Sequence, residues 1–200
     1  MVRPTKFDRT EALNTATEAF WKNGFEQSSV KNLSELLGMT RSSFYNAFGS
    51  RDALFSETIP EYAAQSPDAP LYKEMQTDVL PLITSVFQDI CRARAQDPDA
   101  RGCMIVNTVC EICPASEGLG IELAERILSS AAHLEHLLSL AQERGELSDG
   151  ANVHALALAL QNLMIGINVL CKVIRDENEL WLLTRTTLEG LGLYRAPAVT

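Results

Sequence analysis

The chain has 200 residues, 46% of them hydrophobic and 22% charged, with a net charge of −9 and five cysteines. This is the balance of a soluble globular chain with enough apolar material for one large domain, or for a small domain joined to a larger one. The opening MVRPTKFDRTEAL carries charge too early for a secretory signal and has no apolar h-region, so a reducing cytoplasm is expected and the cysteines are read as thiols, not as a disulfide framework.

The acid is unevenly placed. Residues 1–55 hold seven Lys/Arg against six Asp/Glu, whereas residues 56–200 hold ten against twenty. Arg3, Lys6 and Arg9 crowd the start, and a basic arm on an acidic chain points to nucleic acid despite the net charge.

From Asp8 to about Asn23, Leu13, Ala16, Ala19 and Phe20 recur at helical spacing, and Asp8 with Glu11 resembles a capping box. Gly24 then reads as a stop, with Phe25 placed to touch Phe20. Ser28 or Ser29 caps a short second helix through Val30, Leu33, Leu36 and Leu37. Gly38 breaks it, and Thr40 caps a third helix, Arg41 to Phe48, which Gly49 ends. Two short helices joined by a Gly-containing turn are the helix-turn-helix pattern, whose second helix enters the DNA major groove.

In that second helix Phe44 and Phe48 share the inner face, leaving Arg41, Ser42, Ser43, Tyr45 and Asn46 outside. The Thr40 hydroxyl and the helix-start amides can receive a phosphate, the small serines let the backbone approach, and Asn46 suits a base edge or a phosphate. Arg3, Lys6, Ser29 and Arg51 complete the expected DNA-binding set.

The segment SVKNLSELLGMTRSSFYNAFGSRDALF, residues 29–55, closely resembles the helix-turn-helix of TetR/AcrR-type transcriptional regulators. Phe44-Tyr45, Asn46, Phe48 and Arg51 before Ala53-Leu54-Phe55 fall where that family's pattern has them. Two departures are mild: Ala47 stands for the usual aromatic, and Arg41-Ser42-Ser43 stands where Lys-Gly-Thr is common. The resemblance implies a ligand-responsive regulator, most often a repressor, released from a pseudo-palindromic operator by a small molecule held in a C-terminal body. It also implies that the next helix, from Ser50 to about Tyr62 with Pro60 late in it, transmits the motion.

After a loop at Ala64 to Tyr72, the body reads as helices over about 73–96, 101–113, 119–145, 151–174 and 178–192, with no alternation that would favour strands. The expected fold is all-α: a helix-turn-helix head, residues 1–55, on a helical ligand-binding and dimerisation domain, residues 56–200. Val153 to Cys171 is apolar nearly all round, which raises the membrane question; in a soluble chain it must instead be buried on every face. Residues 151–174 and 178–192 are therefore the expected homodimer interface, with no membrane partner.

Phe87, Cys103, Met104, Asn107, Met164 and Asn168 are the expected effector contacts, mixing apolar surface with a few orienting polar groups. No catalytic residues, cofactor or metal are expected, since His133-x-x-His136 lacks a matching carboxylate or Cys/His set and no Gly-rich loop or Gly-x-Ser-x-Gly elbow is present. Cys110 and Cys113, spaced C-x-x-C, sit before Pro114 in the last turn of a helix, where the dipole and Glu111 oppose a thiolate. Cys103 lies near the start of that helix, on the same face by spacing, and is the better thiol. Two alternatives follow: a redox or electrophile sensor on the same fold using Cys103, or a helical metal- or redox-active protein that does not bind DNA.

Overall fold

The computed structural model describes residues 8–73, 78–114 and 117–196, and these form helices and no strand. The head comprises α1 (Arg9–Asn23), α2 (Val30–Leu36), α3 (Arg41–Phe48) and the start of α4 (Arg51–Gln65). Each begins on a side-chain cap: Asp8 accepts from the Thr10 and Glu11 amides, Ser29 from Asn32, Thr40 from Ser43 and Ser50 from Ala53. Such a cap contributes about 1 kcal/mol, which matters most for α2 and α3, too short to persist alone. Ser29, not Ser28, caps α2; the Ser28 hydroxyl donates instead to the Gly24 carbonyl at 2.6 Å. α4 runs past the expected end near Tyr62, with Pro60 on its exposed side.

The body is built from α5 (Val79–Gln96), α6 (Met104–Ile112), α7 (Leu119–Glu143), α8 (Val153–Leu170) and α9 (Glu177–Gly190). Asp78 makes no side-chain cap for α5; Glu146, from the α7–α8 loop, accepts from the Val79 and Leu80 amides at 2.9 and 2.8 Å. A remote carboxylate thus satisfies the free N–H groups and meets the positive end of the helix dipole.

Two apolar cores result. In the head, Phe20 meets Phe55 at 5.0 Å between ring centroids and Phe25 meets Phe55 at 5.4 Å, both edge to face. That core continues into Ile59 and Tyr62 of α4 and takes in Met104, Leu119 and Leu123 from α6 and α7. The second core gathers α5, α7, α8 and α9 around Ile83, Phe87, Leu137, Leu160, Ile167 and Leu188. The expected division at residue 55 falls inside α4, whose buried face serves the head core along its length.

The loop between α5 and α6 clamps head to body. Arg101 lies 3.7 Å over the Trp21 ring of α1 and pairs with Glu18 at 2.7 Å and with Asp97 at 3.1 Å. The Trp21 indole N–H donates to the Gly102 carbonyl at 2.9 Å, and the Met104 amide donates to the Tyr62 hydroxyl at 3.0 Å. At the far end of α6, Glu111 accepts from the Glu26 amide at 2.7 Å. This clamp also explains why α6 starts at Met104 and not near 101: Gly102, with φ 70°, turns the chain before the helix can begin.

Gly102 is further confined, because a Cβ there would overlap the Asn168 carbonyl oxygen of α8. Gly102→Ala is expected to lower stability by about 3 kcal/mol in urea unfolding at matched protein concentration. Gly145→Ala, at a φ of 75° with nothing near the added carbon, should cost only about 1 kcal/mol.

A second expectation concerns acid. Burial works to raise the Asp97 pKa, but hydrogen bonds and charge from Arg101 outweigh it and hold the carboxyl below its ordinary 3.8. A depressed pKa contributes stability that is present above the unfolded value and lost as pH falls through the folded one. Asp97→Asn should therefore destabilise the protein by about 3 kcal/mol near neutral pH and flatten the acid limb of a Tm-against-pH series below 3.8.

Candidate nucleic-acid interface and internal cavity

α3 is fixed by its inner aromatics. Phe44 is fully buried and Phe48 nearly so, with ring centroids 5.3 Å apart, while Arg41, Ser42, Ser43, Tyr45 and Asn46 are exposed. The side chains of Arg41, Ser42 and Asn46 make no hydrogen bond or ion pair with other described residues. Thr40 Oγ1 accepts from the Ser43 amide at 3.1 Å and lies 2.9 Å from the Ser43 hydroxyl, so these two hold the helix start. Ser29 does the same for α2, its hydroxyl accepting from the Asn32 amide at 3.2 Å. The result is a short, polar, uncommitted ridge standing on an aromatic base, of a size that a major groove accepts.

Not every basic residue of the expected set is on that ridge. Arg51 is turned inward, 3.9 Å over the Phe25 ring, donating to the Phe25 carbonyl at 3.2 Å and lying 3.8 Å from Glu26. Its geometry is that of a brace on the α1–α2 turn. Arg9, counted in the basic arm, donates to the Ala47 carbonyl at 3.0 Å and pairs with Glu57 at 2.6 Å, tying α3 to α1 and α4. Arg3 and Lys6 lie outside the described residues. The sequence reading passed over Lys31, an exposed cation two residues after the Ser29 cap.

Behind the head lies a cavity of about 340 Å³ between α4, α5, α6, α7 and α8, open to solvent past Tyr72, Arg126 and Ser129. Most of its wall is apolar, including Ile59, Ile90, Ile105, Val106, Ile127 and Met164. Of the expected effector contacts, Cys103, Met164 and Asn168 line it. Phe87 does not: it is fully buried in the body core, nearer the start of α5 than Ile90 and Arg94, which reach the cavity. Met104 points into the head core. Asn107 faces outward, donating to the Arg101 carbonyl and accepting from Lys172 Nζ, both at 2.7 Å.

The polar groups of the wall sit in two places. At one, Arg94 Nε donates to Asn168 Oδ1 at 2.6 Å, and Asn168 Nδ2 donates to the Met164 carbonyl at 2.9 Å. Burial raises the Tyr62 hydroxyl pKa well above its ordinary value, so this neighbouring phenol stays protonated. At the other, the Ser130 hydroxyl donates to Gln161 Oε1 at 3.0 Å and receives the Tyr72 hydroxyl at 3.1 Å. Arg94, Gln161, Ser130 and Tyr62 were missed by sequence reasoning. The signal was available: Ile83, Phe87, Ile90 and Arg94 form one stripe, as do Ala157, Gln161, Met164 and Asn168, each with polar residues on an otherwise buried face.

All five cysteines are free thiols, and Cys91 and Cys171 are buried together in the body core. Cys103 is the cap of α6, with extended backbone at φ −103°, and so does not share a helix face with Cys110 and Cys113 as the spacing suggested. Cys110 is exposed beside Glu111, and Cys113 ends α6 with its thiol 3.5 Å from the Gly120 carbonyl.

Two family signatures match. The description "Bacterial regulatory proteins, tetR family" covers residues 12–58, and "Tetracyclin repressor-like, C-terminal domain" covers residues 80–187. The chain is 26% identical to the HTH-type transcriptional repressor ComR of Escherichia coli (strain K12) over 189 residues, 93% of this chain and 90% of the repressor. Its fold matches the regulator CifR, solved as a cysteine mutant with 26 bp operator DNA, at a TM-score of 0.81 and 24% identity over 94% of this chain and 98% of that one. It also matches reduced NemR of E. coli, at a TM-score of 0.74 and 21% identity over 96% and 98%. With its helix-turn-helix head and its helical body each matched in turn, the chain belongs to the TetR family of transcriptional regulators.

Proposed function

We propose that the chain acts as a homodimeric repressor that holds a pseudo-palindromic operator through the α3 helices of two protomers and leaves it when a small molecule fills the cavity. The observation that carries this reading is the double duty of α4: Ile59 and Tyr62 line the cavity and are at the same time part of the head core. A ligand seated there presses on the helix that is separated from α3 by only two residues. Recognition helices must keep a spacing of about 34 Å to sit in successive grooves, so a small tilt of α4 in each protomer suffices to break the register. Linkage requires that the effector bind the tilted state more tightly than the DNA-bound one.

Arg41, Tyr45 and Asn46 are the proposed DNA contacts, with Thr40, Ser42, Ser43 and Ser29 presenting small groups and helix-start amides to phosphates. Tyr45→Phe should weaken operator binding roughly fivefold without changing sequence preference, and Arg41→Ala should reduce the salt slope of binding by about one, as loss of single phosphate contacts does. Fluorescence anisotropy with the duplex upstream of the protein's own gene, over a salt series, reads both effects. Unchanged affinity in both variants would refute the α3 interface.

The dimer rests on α8 and α9. Val153–Leu170 is long and apolar enough to cross a membrane, and 39% of it is buried within the chain. Its outward side carries Ala155, Leu158, Asn162 and Val169, continued by Leu182 on α9. A two-fold pairing of α8 and α9 with the same helices of a second copy would cover this stripe, and helix-turn-helix sites on DNA call for two-fold symmetry. Leu158 is half exposed, so Leu158→Glu should leave the protomer folded, give a monomer by light scattering and reduce operator affinity at least about tenfold.

A further inference from the structure

Arg94 is a guanidinium in an unusual position. Only 4% of its surface is exposed, and it belongs to the apolar stripe of α5 that packs inside the body. Its Nε is taken by Asn168 Oδ1, a neutral acceptor, and among the described residues no carboxylate lies within ion-pair distance of it. The carboxylates around it are otherwise engaged: Asp97 and Glu18 with Arg101, Glu61 with Gln65 and Asp68 with the Ser66 hydroxyl. Arg126, the other cation on the cavity wall, is held by Glu122 at 3.2 Å. The Trp21 ring, 6.0 Å from the Arg94 guanidinium, gives partial compensation at most.

An arginine cannot shed its proton to escape burial, so the charge stays; Arg94 lines both this cavity and the neighbouring cleft between α1 and α4, and its Nη groups have no partner among the described residues. The rest of the wall sets the shape of what would meet them. From Asn168 back to Gln161 is seven residues of α8, about 10 Å along the helix. Met164 lies between them, with Ile90 and Ile127 also on the wall. At the Gln161 end, Oε1 accepts from Ser130, which leaves Nε2 as a donor with no partner among the described residues.

We propose that the cavity binds an amphipathic organic monocarboxylate: its carboxylate on Arg94, its apolar body along Met164, Ile90 and Ile127, and one hydroxyl or carbonyl oxygen at the Gln161 amide. The Tyr62 hydroxyl, which accepts from the Met104 amide, lines the same end of the cavity as Arg94. Because Arg94 also faces Trp21 of α1, neutralising it weakens its attraction to the head, which gives the anion a route to α1 as well as α4. This assigns a chemical class to the effector of the proposed repressor and rests on that reading for its consequence on DNA, but the binding itself is measured without DNA.

The experiment is calorimetric titration of the full-length protein near neutral pH with octanoate, its ω-hydroxy form and phenylbutyrate, each against its primary amide. The acids should bind about tenfold or more tightly than their amides, the contrast expected of a charge-assisted, bidentate contact. Arg94→Gln should abolish the contrast and Arg94→Lys should retain part of it. Gln161→Leu should remove only the preference for the ω-hydroxy acid. Equal binding of acid and amide by the wild-type protein, no binding of any of these acids, or full acid affinity in a folded Arg94→Gln variant would overturn the proposal, and the first two outcomes do not depend on any variant folding. Operator release, followed separately, keeps the readings apart: acids that bind without releasing DNA refute the effector role and leave the anion site standing. Release by the amides but not the acids does the reverse.

Discussion

The position of the head on the body depends on one short loop, and in that loop on the guanidinium of Arg101. It stacks on Trp21, pairs with Glu18 on the same helix, and pairs with Asp97 at the end of α5, so one side chain joins the first helix to the middle of the chain. A planar, delocalised cation suits this place because it can offer a face to the indole and edges to two carboxylates at once. Lysine offers neither the face nor the fork. Gly102 then lets the backbone pass close enough to α8 for the loop to touch both halves of the molecule.

Arg94 and Arg101, seven residues apart, divide two tasks between them. Both approach Trp21, at 6.0 and 3.7 Å, but Arg101 has its carboxylates and Arg94 has none within reach among the described residues. The first is fixed structure, and the second is charge held in reserve beside a cavity. The coupling proposed for this site needs no long relay, because Arg94 lines both the cavity and the cleft that Trp21 of the head also lines. In the proposed mechanism this is the element that the effector biases.

Local chemistry made the head legible from sequence. Asp8, Thr40 and Ser50 are caps where their types and spacing placed them, the Phe20 to Phe25 contact follows from the Gly24 stop, and the inward pair Phe44 and Phe48 follows from four-residue spacing. What spacing could not supply was partnership between distant segments. Arg51 looks like any cation near a helix-turn-helix until Phe25 is placed beneath it. Phe87 shares the α5 stripe of Ile90 and Arg94 but sits too near the helix start to reach the cavity, and for Met104 and Asn107 the face of α6 that meets it is decided by how the helices cross. Cys103 was grouped with Cys110 and Cys113 on the assumption of a helix that begins a turn earlier than it does, an assumption that Gly102 defeats.

The composition of the head core has a consequence for how the protein is made and how it could be recombined. Three of its buried apolar residues, Met104, Leu119 and Leu123, come from far along the chain. On the ribosome, α1 to α4 emerge early yet stay short of a complete interior until α7 has begun to appear, so the reading head matures together with the segment that senses. For the same reason the two halves are not interchangeable parts. A chimaera that keeps this head but takes another regulator's body must carry over those three side chains, or it will inherit a head with a hole in it.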